Sequence, residues 1–338
     1  MSTDNGLLVL GGPDIQALLE GRKRAVVDAV RQAYIEHQAG NSCLPHSVFV
    51  RFPGRVKERI IALPAYLGGA EEIAGIKWIS SFPGNLERGI SRASAIMAIN
   101  SLDTGRPEVV LEGSLISAAR TAASAALAAD VLHQGEVIET LGVVGCGLIN
   151  LEIVRYILAL ERRIDSLLVY DIDAQRAARF IRLLAPHVGS IRVESSSELN
   201  ALLARAQVIS FATTAVEPTV SDLSACSPAA TILHISLRDL TADVVLHTDN
   251  VVDDVDHAIR AQTSLHLAEQ KVGHREFVRC TLAEILNGSQ PARRDAHSVA
   301  VFSPFGLGIL DLALARLVID AARSHGYGTR VERFFDGT

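Results

Sequence analysis

Apolar side chains recur at helical spacing between residues 24 and 38, where Ala25, Val26, Ala29, Val30, Ala33 and Tyr34 share a face and Gly40 supplies a stop. The spacing predicts an amphipathic helix. Short strand-like runs follow at 47–52, 59–64 and 73–80 with Gly and Pro turns between them, which predicts an antiparallel or mixed sheet. An alanine-rich stretch at 117–133 predicts a helix whose small side chains let neighbouring backbone come close. Beyond it the pattern changes character. Runs rich in Val, Leu and Ile at 139–144, 166–171, 191–194, 208–212, 231–235 and 251–253 alternate with helical segments in the manner of βαβ units. Continuous apolar runs such as Leu167-Leu-Val-Tyr170 suit a parallel sheet covered by helices on both faces. The last long helix, 308–325, follows a Ser-Pro-Phe-Gly loop and is placed to leave that sheet and rejoin the first lobe. The expected class is α/β, with a doubly wound Rossmann domain at 128–311 and a discontinuous α+β domain formed by 1–127 and 312–338.

Composition narrows the possibilities. A chain of 338 residues with 49% hydrophobic and 21% charged residues is long enough for two lobes, each with its own core. Thirty-two basic against 38 acidic residues give a net charge of −6, the wrong sign for a non-specific grip on nucleic acid or anionic lipid. Residues 1–10 lack a basic region followed by a sustained apolar one. Apolar stretches are broken by charge, Gly or Pro before the roughly 18 to 20 residues of a membrane helix. The expectation is a cytoplasmic protein with neither nucleic acid nor membrane as partner. Cys43, Cys146, Cys226 and Cys280 lack ligand-like spacing and the histidines form no HExxH pair, so no metal is expected.

The strongest local signal is Gly142-Val-Val-Gly145-Cys146-Gly147-Leu148-Ile149-Asn150, which ends a hydrophobic run and opens a helical one. A dinucleotide needs glycine there for a tight turn and for bare backbone near its pyrophosphate, whose charge then sits on a helix N-terminus. Gly145 and Gly147 fit those two roles. Asn150 occupies the third position of the fingerprint, which is normally small. The next predicted strand finishes at Tyr170-Asp171, where an acid can hydrogen-bond an adenosine ribose and repel a 2′-phosphate, so NAD is expected over NADP. The plainer use of Asp171 is as a helix N-cap.

Further residues point to a family. Gly75-Ile-Lys77-Trp-Ile-Ser-Ser-Phe-Pro83-Gly-Asn85, then Arg120-Thr121-Ala-Ala-Ser124-Ala and the glycine loop, resemble the ornithine cyclodeaminase and mu-crystallin family over nearly the whole chain. The resemblance implies an NAD(P)-binding Rossmann domain in the middle, a substrate and dimerisation domain built from both chain ends, and a homodimer. Arg92-Ala-Ser94, His234-Ile-Ser236-Leu-Arg238-Asp239 and Phe302-Ser-Pro-Phe-Gly306-Leu-Gly308 look closer to the branch that acts on N-(2-amino-2-carboxyethyl)-L-glutamate. That branch makes 2,3-diaminopropionate for siderophores and related natural products. By position, the resemblance gives Lys77 a contact to substrate carboxylate or amine, Arg120 a grip on the carboxylate, Asp239 the handling of protons or water, and Thr121 a place near the cofactor phosphates. Thr213 and Ser236 join Gly145, Gly147, Leu148, Ile149 and Asp171 as expected cofactor contacts. Cyclodeaminases usually carry an arginine two positions beyond the proline of Pro45-His46-Ser47; serine there argues against ornithine as substrate.

The implied conjugate carries three carboxylates on one secondary amine, and Lys77, Arg92, Arg120 and Arg238 are the cations available to meet it. Hydride transfer from the glutamate Cα to NAD+ leaves a ketimine, and water released onto its carbon yields 2-oxoglutarate and L-2,3-diaminopropionate. Asp239, past a strand carboxyl end, is expected to activate that water. Each residue also has a plainer use: solvated surface for Lys77 and Arg92, a loop ion pair for Arg238 with Asp239, and packing for Cys146 and His234. Three other activities share the same motifs. They are a cyclodeaminase releasing proline and ammonia without net NADH, a ketimine reductase or alanine-type dehydrogenase, and a mu-crystallin-like binding protein without turnover.

Overall fold

The computed structural model describes residues 6–134 and 137–335. Residues 1–5 of the N-terminal segment considered above lie outside that range. The chain divides into two compact units, Met1–Arg120 with Leu307–Thr338, and Thr121–Gly306. The boundaries expected at 127/128 and 311/312 both cut helices, Ser114–Leu132 and Gly308–His325. The second of these lies wholly in the first unit because it packs on the helix Lys23–Gln38 and on the strands Arg55–Leu67 and Ile73–Ser81.

The first unit is built on a mixed sheet in the order Thr329–Val331, Leu7–Leu10, Pro107–Glu112, Ala93–Asn100, Ile73–Ser81, Arg55–Leu67, Ser42–Cys43, with Val48–Phe52 also paired to Arg55–Leu67. Its pairings are antiparallel except for Leu7–Leu10 beside Pro107–Glu112. Side chains alternate between the faces of a strand, so register decides which of them meet. Leu63, Lys77, Met97 and Leu111 form one row across four strands. Val48, Ala62, Trp78 and Ile96 form a row of the opposite parity. The first row is covered: Met97 and Leu111 are buried, and so is Lys77. The second is not, with Val48 63%, Trp78 41% and Ile96 51% exposed. Lysine is inside and tryptophan outside, the reverse of what the two side chains alone suggest.

The second unit carries a parallel sheet in the order Arg192–Ser195, Arg163–Tyr170, Val137–Val144, Val208–Phe211, Thr231–His234, Ala300–Phe302, Asp249–Val252, Val278–Thr281. From Val137–Val144 the chain first builds outward on one side, then returns to add Val208–Phe211 on the other. That reversal is a topological switch point, where an open α/β sheet leaves a crevice at the strand carboxyl ends. Val208–Phe211 and Thr231–His234 are buried along their whole length, as strands of a parallel sheet covered by helices on both faces are. The fold class is therefore α/β, a doubly wound unit plus a discontinuous α+β unit.

The helix Ser114–Leu132 is long and apolar enough to cross a membrane by composition, yet 72% of its most apolar window is buried within the protein. Its alanines 122, 123, 125, 126 and 128 are fully covered, so their lack of bulk serves close packing.

Gly75 shows how tightly the first sheet is drawn. A Cβ there would lie 2.4 Å from the carbonyl oxygen of Ala98 and 2.9 Å from Ile99 Cδ1. Backbone cannot retreat as a flexible side chain can, so Gly75→Ala is expected to cost about 1–3 kcal/mol. Urea unfolding followed by far-ultraviolet circular dichroism checks this; an unchanged midpoint refutes it.

Candidate active site

In the second unit the chain leaves Val137–Val144 through Gly145, whose φ of +92° is a left-handed conformation that L side chains rarely adopt. A Cβ on Gly145 would also sit 2.7 Å from the Ala212 carbonyl oxygen. Gly147 is glycine for a different reason. It is the N-cap of the helix Leu148–Ala159, no side chain caps that end, the first turn holds no acid, and a Cβ on Gly147 would meet nothing within 4 Å. Open space before a row of uncapped amides is what a pyrophosphate requires. The residues therefore fit a dinucleotide.

Asn150 does not spoil the turn. Its fully buried side chain donates to the carbonyls of Val144 (2.8 Å) and Gly145 (2.7 Å), while its Oδ1 accepts from Ser210 Oγ at 2.7 Å. Asparagine here staples the glycine turn to the neighbouring strand, replacing packing by a small residue with hydrogen bonds.

Asp171 follows the strand Arg163–Tyr170, as expected. Its carboxylate accepts the N–H of Cys146 at 2.8 Å and of Asp173 at 3.0 Å. The N-cap of the following helix is Asp173, which accepts from the amides of Gln175 and Arg176, so the plainer use considered for Asp171 belongs to its neighbour. Burial, reinforced by Asp171, pushes the Cys146 thiol up to about 12, which keeps it an inert thiol.

Asp239 is 1% exposed. Thr213 and Ser236 donate their hydroxyls to its two carboxylate oxygens, and His234 Nε2 stands 3.3 Å from Oδ2. Burial opposes the charge, but the nearby His234 ring and the hydroxyl bonds from Ser236 and Thr213 outweigh it and hold this carboxyl below its ordinary range. His234 is itself buried: Nε2 accepts the Asp239 N–H at 3.2 Å and Nδ1 meets Ser303 Oγ at 3.0 Å. Three expected residues, Thr213, Ser236 and Asp239, thus form one cluster.

In the first unit Lys77 and Arg120 are brought together by a residue that sequence reasoning missed. Asp311, in the first turn of Gly308–His325, accepts from Lys77 Nζ at 2.6 Å on Oδ2 and from Arg120 Nε at 3.1 Å on Oδ1. Ser117 Oγ lies 3.2 Å from Lys77 Nζ. All three charged groups are buried, and their formal sum is +1. Burial drives the Lys77 ammonium down to about 8; Asp311 opposes that fall and Arg120 adds to it. The signal for Asp311 was a lone carboxylate in the otherwise apolar run Gly308-Ile-Leu-Asp-Leu-Ala-Leu-Ala315.

Arg92 is exposed just before the strand Ala93–Asn100. Arg238 donates to the Ala261 carbonyl at 2.7 Å. Thr121 follows Arg120 directly in Ser114–Leu132. Sequence reasoning also missed Ile172 and Val216, 93% and 77% exposed. With Leu148, 62% exposed, they follow the carboxyl ends of three neighbouring strands, where an apolar ring could be covered. Among the described residues no cluster of His, Cys, Asp and Glu is arranged to hold a metal.

Comparison with known proteins shows what the whole chain is similar to. The chain is 28% identical to an N-((2S)-2-amino-2-carboxyethyl)-L-glutamate dehydrogenase of Staphylococcus aureus over 97% of this chain and 99% of that one. It is 25% identical to an alanine dehydrogenase of Archaeoglobus fulgidus over 97% and 98% of the two chains. Its fold matches that of a Thermococcus litoralis Delta(1)-pyrroline-2-carboxylate reductase solved with NADH and L-proline, at a TM-score of 0.86 and 24% identity, covering 96% of this chain and all of that one. Residues 15–326 match the sequence model of one family, so the chain belongs to the ornithine cyclodeaminase/mu-crystallin family.

Proposed function

We propose that this protein is an NAD-dependent oxidoreductase acting on a CH–NH bond, and that its substrate is N-(2-amino-2-carboxyethyl)-L-glutamate. The observation that carries the reading is the buried trio of Lys77, Arg120 and Asp311, two cations on one carboxylate. An excess positive charge out of water is costly until an anion meets it. A substrate carboxylate supplies that anion, and the planar Arg120 fork suits it. The trio takes one of the substrate's three carboxylates. The dehydrogenase of Staphylococcus aureus acts on this conjugate by name.

Gly145, Gly147, Leu148 and Ile149 would hold the NAD pyrophosphate, Asp171 the adenosine ribose, and Thr121, Thr213 and Ser236 the remainder of the dinucleotide. When bound, NAD+ supplies the acceptor for the hydride leaving the glutamate Cα. The chain's own residues fix the carboxylate, exclude water from the trio and manage protons. Loss of the Cα hydride leaves a carbon–nitrogen double bond, to which water adds before the carbon–nitrogen bond breaks. The products are 2-oxoglutarate and L-2,3-diaminopropionate.

The uncovered row of Val48, Trp78 and Ile96 supports a homodimer, because contiguous exposed apolar surface on a sheet face is a common mark of an interface. One fold neighbour, an archaeal alanine dehydrogenase, was solved as a dimer with NAD.

Incubation of the purified protein with NAD+ and the conjugate should produce the reduced-nicotinamide absorbance together with both products by mass spectrometry. Proline and ammonia from ornithine without net NADH would instead identify a cyclodeaminase. Arg120→Leu should raise KM for the conjugate about tenfold to a hundredfold, the worth of one to two charge-assisted hydrogen bonds; an unchanged KM removes Arg120 from the site. Asp171→Ser should weaken NAD about tenfold and narrow its advantage over NADP, which nucleotide titration by fluorescence measures. Trp78→Glu should convert a dimer to a monomer by light scattering, and a dimer that persists places the interface elsewhere.

A further inference from the structure

We propose that Asp311 is a positioning residue that governs the protonation of Lys77, and that the Lys77 amine is the group that takes the proton released when the substrate amine is oxidised. This rests on the reading of the trio as the substrate site and assigns its chemistry. Lys77 stands in register between Leu63 and Met97 in the covered row of the first sheet. Apolar neighbours on both sides favour the neutral amine. Asp311 resists that, and it does so with one oxygen only, since Oδ2 goes to Lys77 and Oδ1 to Arg120. The charged groups facing Lys77 among the described residues are therefore Asp311 on the C-terminal helix and Arg120 on Ser114–Leu132, with opposite effects. The two elements leave Lys77 poised at about 8, close enough to neutrality to accept and release a proton during turnover.

The substrate nitrogen, a secondary ammonium in solution, loses one N–H proton to the neutral Lys77 amine. Its freed electron pair forms the carbon–nitrogen double bond as the Cα–H bond breaks. The hydrogen leaves with both electrons to the oxidised nicotinamide. Substrate is oxidised, NAD+ is reduced, and Lys77 ends as an ammonium that returns its proton to solvent.

The chain has four lysines, at positions 23, 57, 77 and 271, so lysine-selective 15N labelling gives few side-chain signals, and Lys77→Arg identifies the relevant one. Titration of the nucleotide-free full-length protein should show the Lys77 amine with a midpoint near 8. In Asp311→Asn it should fall by about one pH unit or more, the effect of losing an opposite charge at contact distance. The sign in kinetics is the same: kcat/KM for oxidation rises with pH as Lys77 loses its proton, and Asp311→Asn moves that rise to lower pH. Asp311→Glu should return the rise toward the wild-type position. A merely structural aspartate would lower the plateau and leave the rise where it was.

A wild-type Lys77 midpoint in the ordinary lysine range overturns the proposal, as does a midpoint unmoved in Asp311→Asn. Should Asp311→Asn not fold, the wild-type titration and the Asp311→Glu profile decide between the same outcomes. If the conjugate is not turned over while Lys77 titrates as expected, the substrate reading fails, and the profile is taken on the amine that product analysis identifies.

Discussion

Burying an ammonium and a guanidinium in one apolar layer costs several kcal/mol per ion unless an opposite charge meets both. In the first unit Asp311 meets them, and it reaches Lys77 across 234 residues of sequence and Arg120 across 191. The carboxylate belongs to the C-terminal helix, so the chain end must return to the unit it began in. Helix Gly308–His325 is held there by Leu310, Leu312, Leu314 and Val318, all buried. The discontinuity of the first unit and the assembly of the trio are thus one requirement. Without the returning helix the first unit would keep two cations and lose the group that neutralises one of them.

The second unit solves a different problem with the same economy of polar groups. A strand-to-helix turn that leaves its amides open for a ligand has little to hold it when no ligand is present. Asn150 and Asp171 hold it from both ends, one from the helix to the Gly145 carbonyl, the other from the next strand to the Cys146 amide. Neither bond uses the uncapped N-terminus at Gly147. The turn is kept in shape while its anion-binding face stays open, which is preorganisation in the sense that lowers the cost of binding.

The type of sheet in each unit was legible in the sequence because short runs between Gly and Pro turns and continuous apolar runs carry different information. The Rossmann half was read closely: predicted strands at 139–144 and 208–212 correspond to Val137–Val144 and Val208–Phe211. Shorter strands such as Ala300–Phe302 escaped, since three apolar residues carry no period. The site was legible in part. Glycines whose backbone is special announce themselves, and the family motifs point at Lys77 and Arg120. Asp311 did not, because a lone aspartate in an apolar helical run does not reveal which distant residues it pairs with. Lys77 shows the same limit from the other side: its burial follows from the register of four strands, and no window of sequence contains that register.

A buried ion pair is often kept in a fold without any chemical use, so the trio needs an argument beyond its existence. Two energetic points supply one. Replacing a buried pair by apolar residues of similar size is frequently neutral or stabilising, which makes such pairs poor devices for stability alone. This cluster is also unbalanced, with a second cation that the single carboxylate cannot neutralise. A structural pair would close on itself and leave Lys77 firmly charged; here burial and Arg120 together bring it down to about 8 despite the carboxylate at 2.6 Å. An arrangement that carries an excess positive charge while Lys77 is protonated, and holds that proton loosely, is a weak scaffold and a good receptor for an amino acid, whose carboxylate meets the charge and whose nitrogen exchanges the proton.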